Sequence, residues 1–447
     1  MQVYKINGGR PVKGEITCYG AKNFVTKAMV AACLAESASV LENVPPISEI
    51  EITLGLLHSV GVKTRWDREA KTLEIDPTPM RTHKVTTPDS RSNRIPILML
   101  PVLLHRFGKA EIPRLDGCDI GKRAVDFHES AVEAFGGEIE VDREHLGAKI
   151  RKQLKGTHFK LPYPSVGATE TCLFLSVLAR GTTVIANAAV EPEIMALITM
   201  LRGMGAVIFV SPGREIRVEG VAKLRGTRMH CLGDRIEAAS WATLACATNG
   251  SLTLHGIMPE TLSNFLAYFR QVGGGFELLG EQSIRFFRAG TLQPIMLETD
   301  VYPGFATDWQ QPFGVLLTQA EGVSVIHETV YEARFSHVPV LNRMGARIQL
   351  STECLGRPCR FEHKGHVHSA LIMGGTKLQA LDEPLEVPDL RGGLAYVIAA
   401  ALAKGETTLT HIERIERGYG DIAERLESMS LDIVKVSAKA SKSGVSK

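Results

Sequence analysis

Apolar residues along this chain follow two alternating rhythms. Stretches such as residues 195–201, Met-Ala-Leu-Ile-Thr-Met-Leu, repeat with the helical period, whereas short stretches such as residues 137–141, Gly-Glu-Ile-Glu-Val, alternate as strands do. A helix, then a Gly or small residue, then a short alternating strand recurs six times. The markers Gly61, Gly136, Gly205, Gly274, Gly345 and Ser430 stand at steps of 75, 69, 69, 71 and 85 residues. A second series of helix, turn and strand ends at residues 37–41, 108–112, 181–185, 250–254, 322–326 and 405–409. Each unit is therefore predicted to hold two helices and several strands, with Gly supplying a left-handed helix stop. One-sided apolar helices call for packing on one face of sheets whose other face is wet, an α/β arrangement of repeats.

A chain of 447 residues exceeds one ordinary core, so two domains of about 200 residues each are expected. Six units divide into two groups of three. Units two and three, with most of unit one, form one group, and units four to six form the other. The amino-terminal strand, up to about Ala21, fits either.

Composition narrows the class. Apolar residues make up 44%, charged residues 22%, and the formal charge is +2, so no broad basic surface is offered to nucleic acid. The amino terminus enters a strand-like pattern at once, without a basic stretch before a long apolar run, so no secretory signal is expected. The longest apolar runs, residues 95–104 and 394–402, are too short to span a bilayer. A cytoplasmic protein with no membrane contact is the expectation.

Of eight cysteines, most sit among apolar neighbours and read as small buried hydrophobes. Cys118 differs. It lies between glycines in Arg-Leu-Asp-Gly-Cys-Asp-Ile-Gly-Lys-Arg, residues 114–123, where Arg114, Lys122 and Arg123 would favour its thiolate. Cys354, Cys359, His363, His366 and His368 crowd another segment, but their spacing matches no standard pair of zinc knuckles, and no metal is expected there.

Several charged residues fall where a turn meets a helix, and a helix start attracts anions through its free N–H groups and dipole. Lys22 and Asn23 precede the apolar run at residues 24–34, and Arg391 precedes that at residues 394–402. Arg417 is placed at a third helix start, and Asp308 with Gln310 at a fourth. Taken singly, each reads as a cap or a solvated charge. Together with the thiol loop they suit a small substrate carrying phosphate and carboxylate, which Arg forks bind bidentately.

Nearly the whole chain, residues 3–436, resembles the enolpyruvyl transferases, and among them those acting on UDP-N-acetylglucosamine in the first committed step of peptidoglycan synthesis. The matching stretches are Gly-Ala-Lys-Asn at residues 20–23, the thiol loop from Gly117 to Arg123 with Val125, Asp126 and His128, and Ser-Val-Gly-Ala-Thr at 165–169. Others are Asn187, Glu191, Asp234 to Glu237, Thr307, Asp308, Gln310, Glu328, Arg334, His337, Asp389, Arg391 and Arg417 to Tyr419. Ala124, Tyr163 with Pro164, and Gly233 depart from the usual residues. Relatives acting on shikimate phosphate share the repeats but lack such a cysteine loop. RNA terminal-phosphate cyclases, built from related units, would call for a basic face that a charge of +2 does not supply.

The resemblance implies two inside-out α/β domains, helices inside and sheets outside, over residues 22–231 and over 1–21 plus 232–447, with the active site in the cleft between them. It implies transfer of the enolpyruvyl group of phosphoenolpyruvate to the sugar 3-hydroxyl with release of phosphate, without cofactor or metal. By the same resemblance Lys22, Asn23, Arg123, Arg391 and Arg417 hold phosphoenolpyruvate, with Asn23 orienting the reacting groups. Cys118 is the proton donor and the residue that fosfomycin alkylates, and Asp308 acts on the sugar hydroxyl. Lys22 and Arg417 count with them as catalytic. Arg94, Arg123, Ala124, Val125, Asp126, Phe127, Tyr163, Pro164, Ser165, Val166, Asp308 and Val330 contact the nucleotide sugar.

Overall fold

Each repeat builds one small sheet. The structure, a computed structural model, describes residues 2–86, 94–113 and 125–437. Among them are six sheets, and five share one plan: a strand parallel to a central strand, followed on the other side by two antiparallel strands. In the third repeat these are His158–Lys160, Thr182–Ala186, Glu215–Glu219 and Val207–Ser211. The second repeat has three named strands, Lys109–Pro113, His145–Ile150 and Gly137–Val141, and a single parallel bridge from Lys84 to Glu111 stands for the fourth.

The chain folds into two units, residues 19–233 and residues 1–18 with 234–447. In the first, Arg228–His230 returns to lie parallel to Ser39–Glu42, so the last strand completes the first sheet. In the second, Lys13–Thr17 lies parallel to Ser251–His255 and completes the fourth sheet. Gln2–Asn7 inserts between Glu406–Thr410 and Asp432–Ser437 as the antiparallel middle strand of the sixth. The other repeats draw that strand from the chain following their own edge strand; the sixth draws it from the start of the chain, and the 85-residue step before its marker comes from the long connection between Arg347–Ser351 and Ser369–Met373.

The two helices of a repeat differ in burial. Arg235–Ala247, Thr307–Leu317 and Leu390–Leu402 are buried nearly all round and pack on one another, as helices apolar on every face must. Outer helices such as Ser263–Gln271 bury one face, through Phe265, Leu266 and Phe269. The other unit repeats this layering, with Lys22–Ala32, Met99–Phe107 and Val166–Ser176 inside and Ser48–Ser59, Asp126–Ala134 and Pro192–Gly203 beside them.

Left-handed stops close the outer helices. Gly61, Gly136, Gly205 and Gly345 have φ of 98°, 92°, 107° and 105°, and Ser430 takes the same region at 65°. In the fourth repeat Gly273, φ 99°, makes the turn in place of the marker Gly274. Gly274 serves packing, since a Cβ there would lie 2.4 Å from the Phe269 ring. No described helix is long and apolar enough to cross a membrane.

Gly20 lies where the chain enters the first unit, bridged to Gly233, and a Cβ on it would lie 2.0 Å from the Asn43 carbonyl oxygen. Gly55, inside a helix, has open space around its Cβ position. Gly20→Ala is expected to destabilise by ~1–3 kcal/mol, and Gly55→Ala to stabilise by ~0.5–1 kcal/mol. Urea denaturation midpoints of the two variants check both signs.

Candidate active site

The second unit gathers its charge at the first turns of its inner helices. Asp389 caps Leu390–Leu402, its Oδ1 accepting from the Arg391 and Gly392 amides at 2.9 and 3.0 Å. Gly393 has no room for a side chain, because a Cβ would lie 2.5 Å from Ile415 and 2.7 Å from Val387. Arg391 is consequently held beneath the surface, 4% exposed. Its Nε and Nη2 donate to Asp308 Oδ2 at 3.3 and 3.2 Å, and its Nη1 donates to the Tyr419 hydroxyl at 2.6 Å.

Asp308 stands in the first turn of Thr307–Leu317 and keeps about a quarter of its side chain in solvent. Its other oxygen, Oδ1, accepts from Arg334 Nη2. Arg334 Nε donates to Thr307 Oγ1 at 3.1 Å, and that hydroxyl donates to Glu328 Oε2 at 2.9 Å. Glu328 Oε1 receives the Val330 and Tyr331 amides at 2.8 and 3.0 Å. The chain of contacts runs Tyr419, Arg391, Asp308, Arg334, Thr307, Glu328, and a partly wet carboxylate sits at its middle.

Electrostatics fit that picture. Burial alone would lower the Arg391 guanidinium, but Tyr419, Asp308 and Asp234 hold it above its usual range. Arg334 behaves alike, with Asp308 and Glu328 outweighing burial. Burial pushes the Glu328 carboxyl up despite Arg334, and it pushes the Tyr419 phenol up to about 12, so that Tyr419 is a neutral donor and acceptor.

Arg417 does not stand at a helix start. It follows the short helix Glu413–Glu416, its amide donating to the Glu413 carbonyl at 3.0 Å, and the next helix begins at Ile422. The buried series Ile412, Ile415, Tyr419 and Ile422 runs through both helices, and Asp421, left-handed at φ 48°, separates them later than the sequence suggests.

In the other unit, Lys22 and Asn23 are the first two residues of Lys22–Ala32, whose N-cap, Ala21, supplies no side-chain acceptor. Val125 precedes Asp126–Ala134, with the Phe127 amide on Asp126 Oδ1 at 2.9 Å. Ser165 caps Val166–Ser176 through a 3.4 Å bond from the Ala168 amide, and its own amide donates to the Tyr163 carbonyl at 2.7 Å. These two helix starts are brought together by His128, whose Nδ1 lies 2.7 Å from Thr171 Oγ1. Burial, then the nearby Arg94, lowers the His128 pKa to about 3, which makes it a neutral strut and no acid catalyst. Arg94 itself precedes the turn Ile95–Leu98. Around His128 the structure thus shows Thr171 in hydrogen-bond contact, the Gly167 backbone beside its ring, and Arg94 near enough to act on its charge.

Cys118, Arg123 and Ala124, with the rest of the thiol loop, lie outside the described residues. Sequence reasoning assigned no part to Arg334, Glu328 or Tyr419. Their one signal was that each falls within a stretch matched to the family.

The family model described as EPSP synthase (3-phosphoshikimate 1-carboxyvinyltransferase) matches residues 6–426. The chain belongs to the enolpyruvyl transferase family. The UDP-N-acetylglucosamine 1-carboxyvinyltransferase of Protochlamydia amoebophila is 43% identical over 440 residues, covering 97% of this chain and 94% of that protein. That of Chlamydia pneumoniae is 40% identical over 97% of this chain and 95% of its own. Among solved structures, the enolpyruvyl transferase NikO from Streptomyces tendae superposes with a TM-score of 0.86 at 20% identity, over 98% of this chain and 99% of its own. This last likeness concerns the fold.

One buried carboxyl of this enolpyruvyl transferase makes a pH prediction. Glu170 is 2% exposed, and burial raises its pKa from 4.5 to about 7, with Lys27 opposing and Glu191 and Glu193 reinforcing the shift. Between those values the folded chain binds a proton that the unfolded chain has released, so stability falls as pH rises through that window. Glu170→Gln is expected to give a shallower fall, measured as denaturation midpoints at about pH 5 and about pH 8.

Proposed function

We propose that this enolpyruvyl transferase moves the enolpyruvyl group of phosphoenolpyruvate to the 3-hydroxyl of UDP-N-acetylglucosamine and releases phosphate, the first committed step of peptidoglycan synthesis. The observation that carries it is identity of 43% along nearly the whole chain to a relative bearing that activity's name. Cys118 within its cationic glycine loop supports the nucleotide sugar over shikimate phosphate as acceptor. The enzyme is read as cytoplasmic and acting on small molecules, with no cofactor and no role for nucleic acid or membrane.

Atom balance sets what the residues must do. The sugar oxygen bonds to the substituted alkene carbon while the methylene carbon gains a proton. Loss of phosphate and of a proton from the new methyl group then restores the double bond. A carbon acid step needs a donor poised beside the methylene, which is the role of Cys118, and the attacking alcohol needs a carboxylate within reach, which is the role of Asp308. Lys22, Asn23, Arg123, Arg391 and Arg417 bind the phosphate and carboxylate of phosphoenolpyruvate. Arg94, Arg123, Ala124, Val125 to Phe127, Tyr163 to Val166, Asp308 and Val330 bind the nucleotide sugar.

The contact between Arg391 and Asp308 Oδ2 gives this division a physical sequence. An arriving substrate anion competes for the Arg391 fork, and as the fork turns to it, Oδ2 becomes available to the sugar hydroxyl. Arg334 keeps its hold on Oδ1, so the carboxylate stays in place while its free oxygen changes partner.

Phosphate release from phosphoenolpyruvate is expected with UDP-N-acetylglucosamine and not with shikimate 3-phosphate; no release with the nucleotide sugar overturns the proposal. Cys118→Ser and Asp308→Asn should each lower kcat by ~10²-fold or more, whereas Arg391→Lys should chiefly raise KM for phosphoenolpyruvate. Intact mass after fosfomycin should show one adduct, mapped to Cys118. An adduct on another residue would remove Cys118 from its role.

A further inference from the structure

His327 ends the strand Val323–His327, and His368 immediately precedes Ser369–Met373, its antiparallel neighbour, in which Ser369 faces His327. The connection between Arg347–Ser351 and that neighbour returns over the strand ends and carries Cys354 and Cys359. One donor atom from each of these four residues lies within 4.8 Å of the others. The two sulfurs are 3.7 Å apart, and Cys354 Sγ is 3.3 Å from His368 Nε2. A tetrahedral zinc ion, with bonds of about 2.3 Å to sulfur and about 2.0–2.1 Å to nitrogen, places its donors about 3.3–3.8 Å from one another. A disulfide would need sulfurs about 2.05 Å apart.

The imidazoles are already turned for ligation. His327 is fully buried; its Nδ1 pairs with Glu298 Oε2 at 2.8 Å, and its buried Nε2 has no hydrogen-bond partner among the described residues. His368, also fully buried, directs Nδ1 to the His366 carbonyl at 2.8 Å and Nε2 to the sulfurs. An oxygen acceptor behind the distal nitrogen is what orients a metal-binding imidazole.

The surrounding chain is shaped to that core. A Cβ on Gly356 would lie 2.4 Å from Glu298 Oε2 and 2.5 Å from His327 Nδ1, and the Arg357 amide donates to the same Glu298 oxygen at 2.9 Å. The Phe361 amide points at Cys359 Sγ from 3.3 Å, as a donor to a thiolate would, and the buried Phe361 ring packs beside the His368 ring.

We propose that His327, Cys354, Cys359 and His368 bind one zinc ion in a closed structural site. Four protein donors leave no open position for substrate or water, and the thiolate and imidazole set suits zinc. Binding releases both thiol protons and takes the imidazoles neutral. The Glu328 amide donates to the His368 carbonyl at 2.7 Å, and Arg360 Nη2 donates to the Val330 carbonyl at 2.8 Å. The ion therefore pins the connection to the segment whose Glu328 orders Val330 and Thr307. The sequence reading weighed Cys354, Cys359 and His368 together with His363 and His366, which are exposed, whereas the fourth donor of this cluster, His327, comes from a strand upstream.

The test uses the full chain, freed of any affinity tag, after growth in zinc-containing medium. Elemental mass spectrometry should find about one zinc per chain. Replacement by cobalt(II) should give tetrahedral ligand-field bands and a thiolate charge-transfer band, both abolished by added zinc. Cys354→Ser, Cys359→Ser and His327→Gln should lose the ion, and His363→Ala with His366→Ala should keep it. Glu298→Gln should weaken zinc binding by about 10–100-fold. Zinc-free protein whose two thiols react equally with and without added zinc would overturn the proposal. So would iron in place of zinc, a disulfide between Cys354 and Cys359, or zinc retained by the ligand variants. If those variants do not fold, the wild-type cobalt spectrum decides, and a spectrum lacking thiolate charge transfer rejects the site.

Discussion

Three helices buried on nearly every face impose the order of the second unit. Arg235–Ala247, Thr307–Leu317 and Leu390–Leu402 can carry charge cheaply only near their ends, since an uncompensated buried charge along their length would cost several kcal/mol. Their first turns hold Asp234, Arg235 and Glu237; Asp308; and Asp389 with Arg391. Those turns are close, as the Trp309 indole donates to the Arg235 carbonyl at 3.3 Å and Arg391 reaches Asp308. Partial positive charge at the helix starts and full charge on Arg391 and Arg334 thus accumulate in one place. The carboxylates of Asp234, Asp308, Asp389 and Glu328 balance it.

That balance links stability to chemistry. The contacts with Tyr419, Asp308 and Asp234 that hold Arg391 above its usual range in the folded chain are the same ones that, under the proposed function, an anionic substrate would compete for. Arg334, 2% exposed and tied to both Thr307 and Asp308, acts as the fixed side of the arrangement. Glu328 extends it outwards to Val330, and from there the connection bearing Cys354 and Cys359 is reached through Arg360. A metal at the strand ends would stiffen the same segment from its other side.

The helix starts that carry several candidate residues were legible in the sequence for local reasons. Lys22, Asn23, Asp308 and Arg391 each stand just ahead of a long apolar run, and a helix start is marked by nearest neighbours alone. Arg417 misled because the apolar spacing through Ile415, Tyr419 and Ile422 continues across the break at Asp421. Arg334 and Tyr419 carried no local mark of their roles, since each acquires its meaning from a partner on another element.

The sequence by itself determined the six repeats, the α/β layering within each, the left-handed stops and membership of the enolpyruvyl transferase family. All of these rest on periodicity, turn chemistry and matched motifs, which act over a few residues or are read one position at a time. Only the tertiary structure decided that Gln2–Asn7 completes the sixth sheet, that Asp308 meets Arg391 across 83 residues, and that His327 joins Cys354, Cys359 and His368. Those pairings close long loops. Which distant segments meet is settled by the packing of whole helices and sheets, and no local pattern records it.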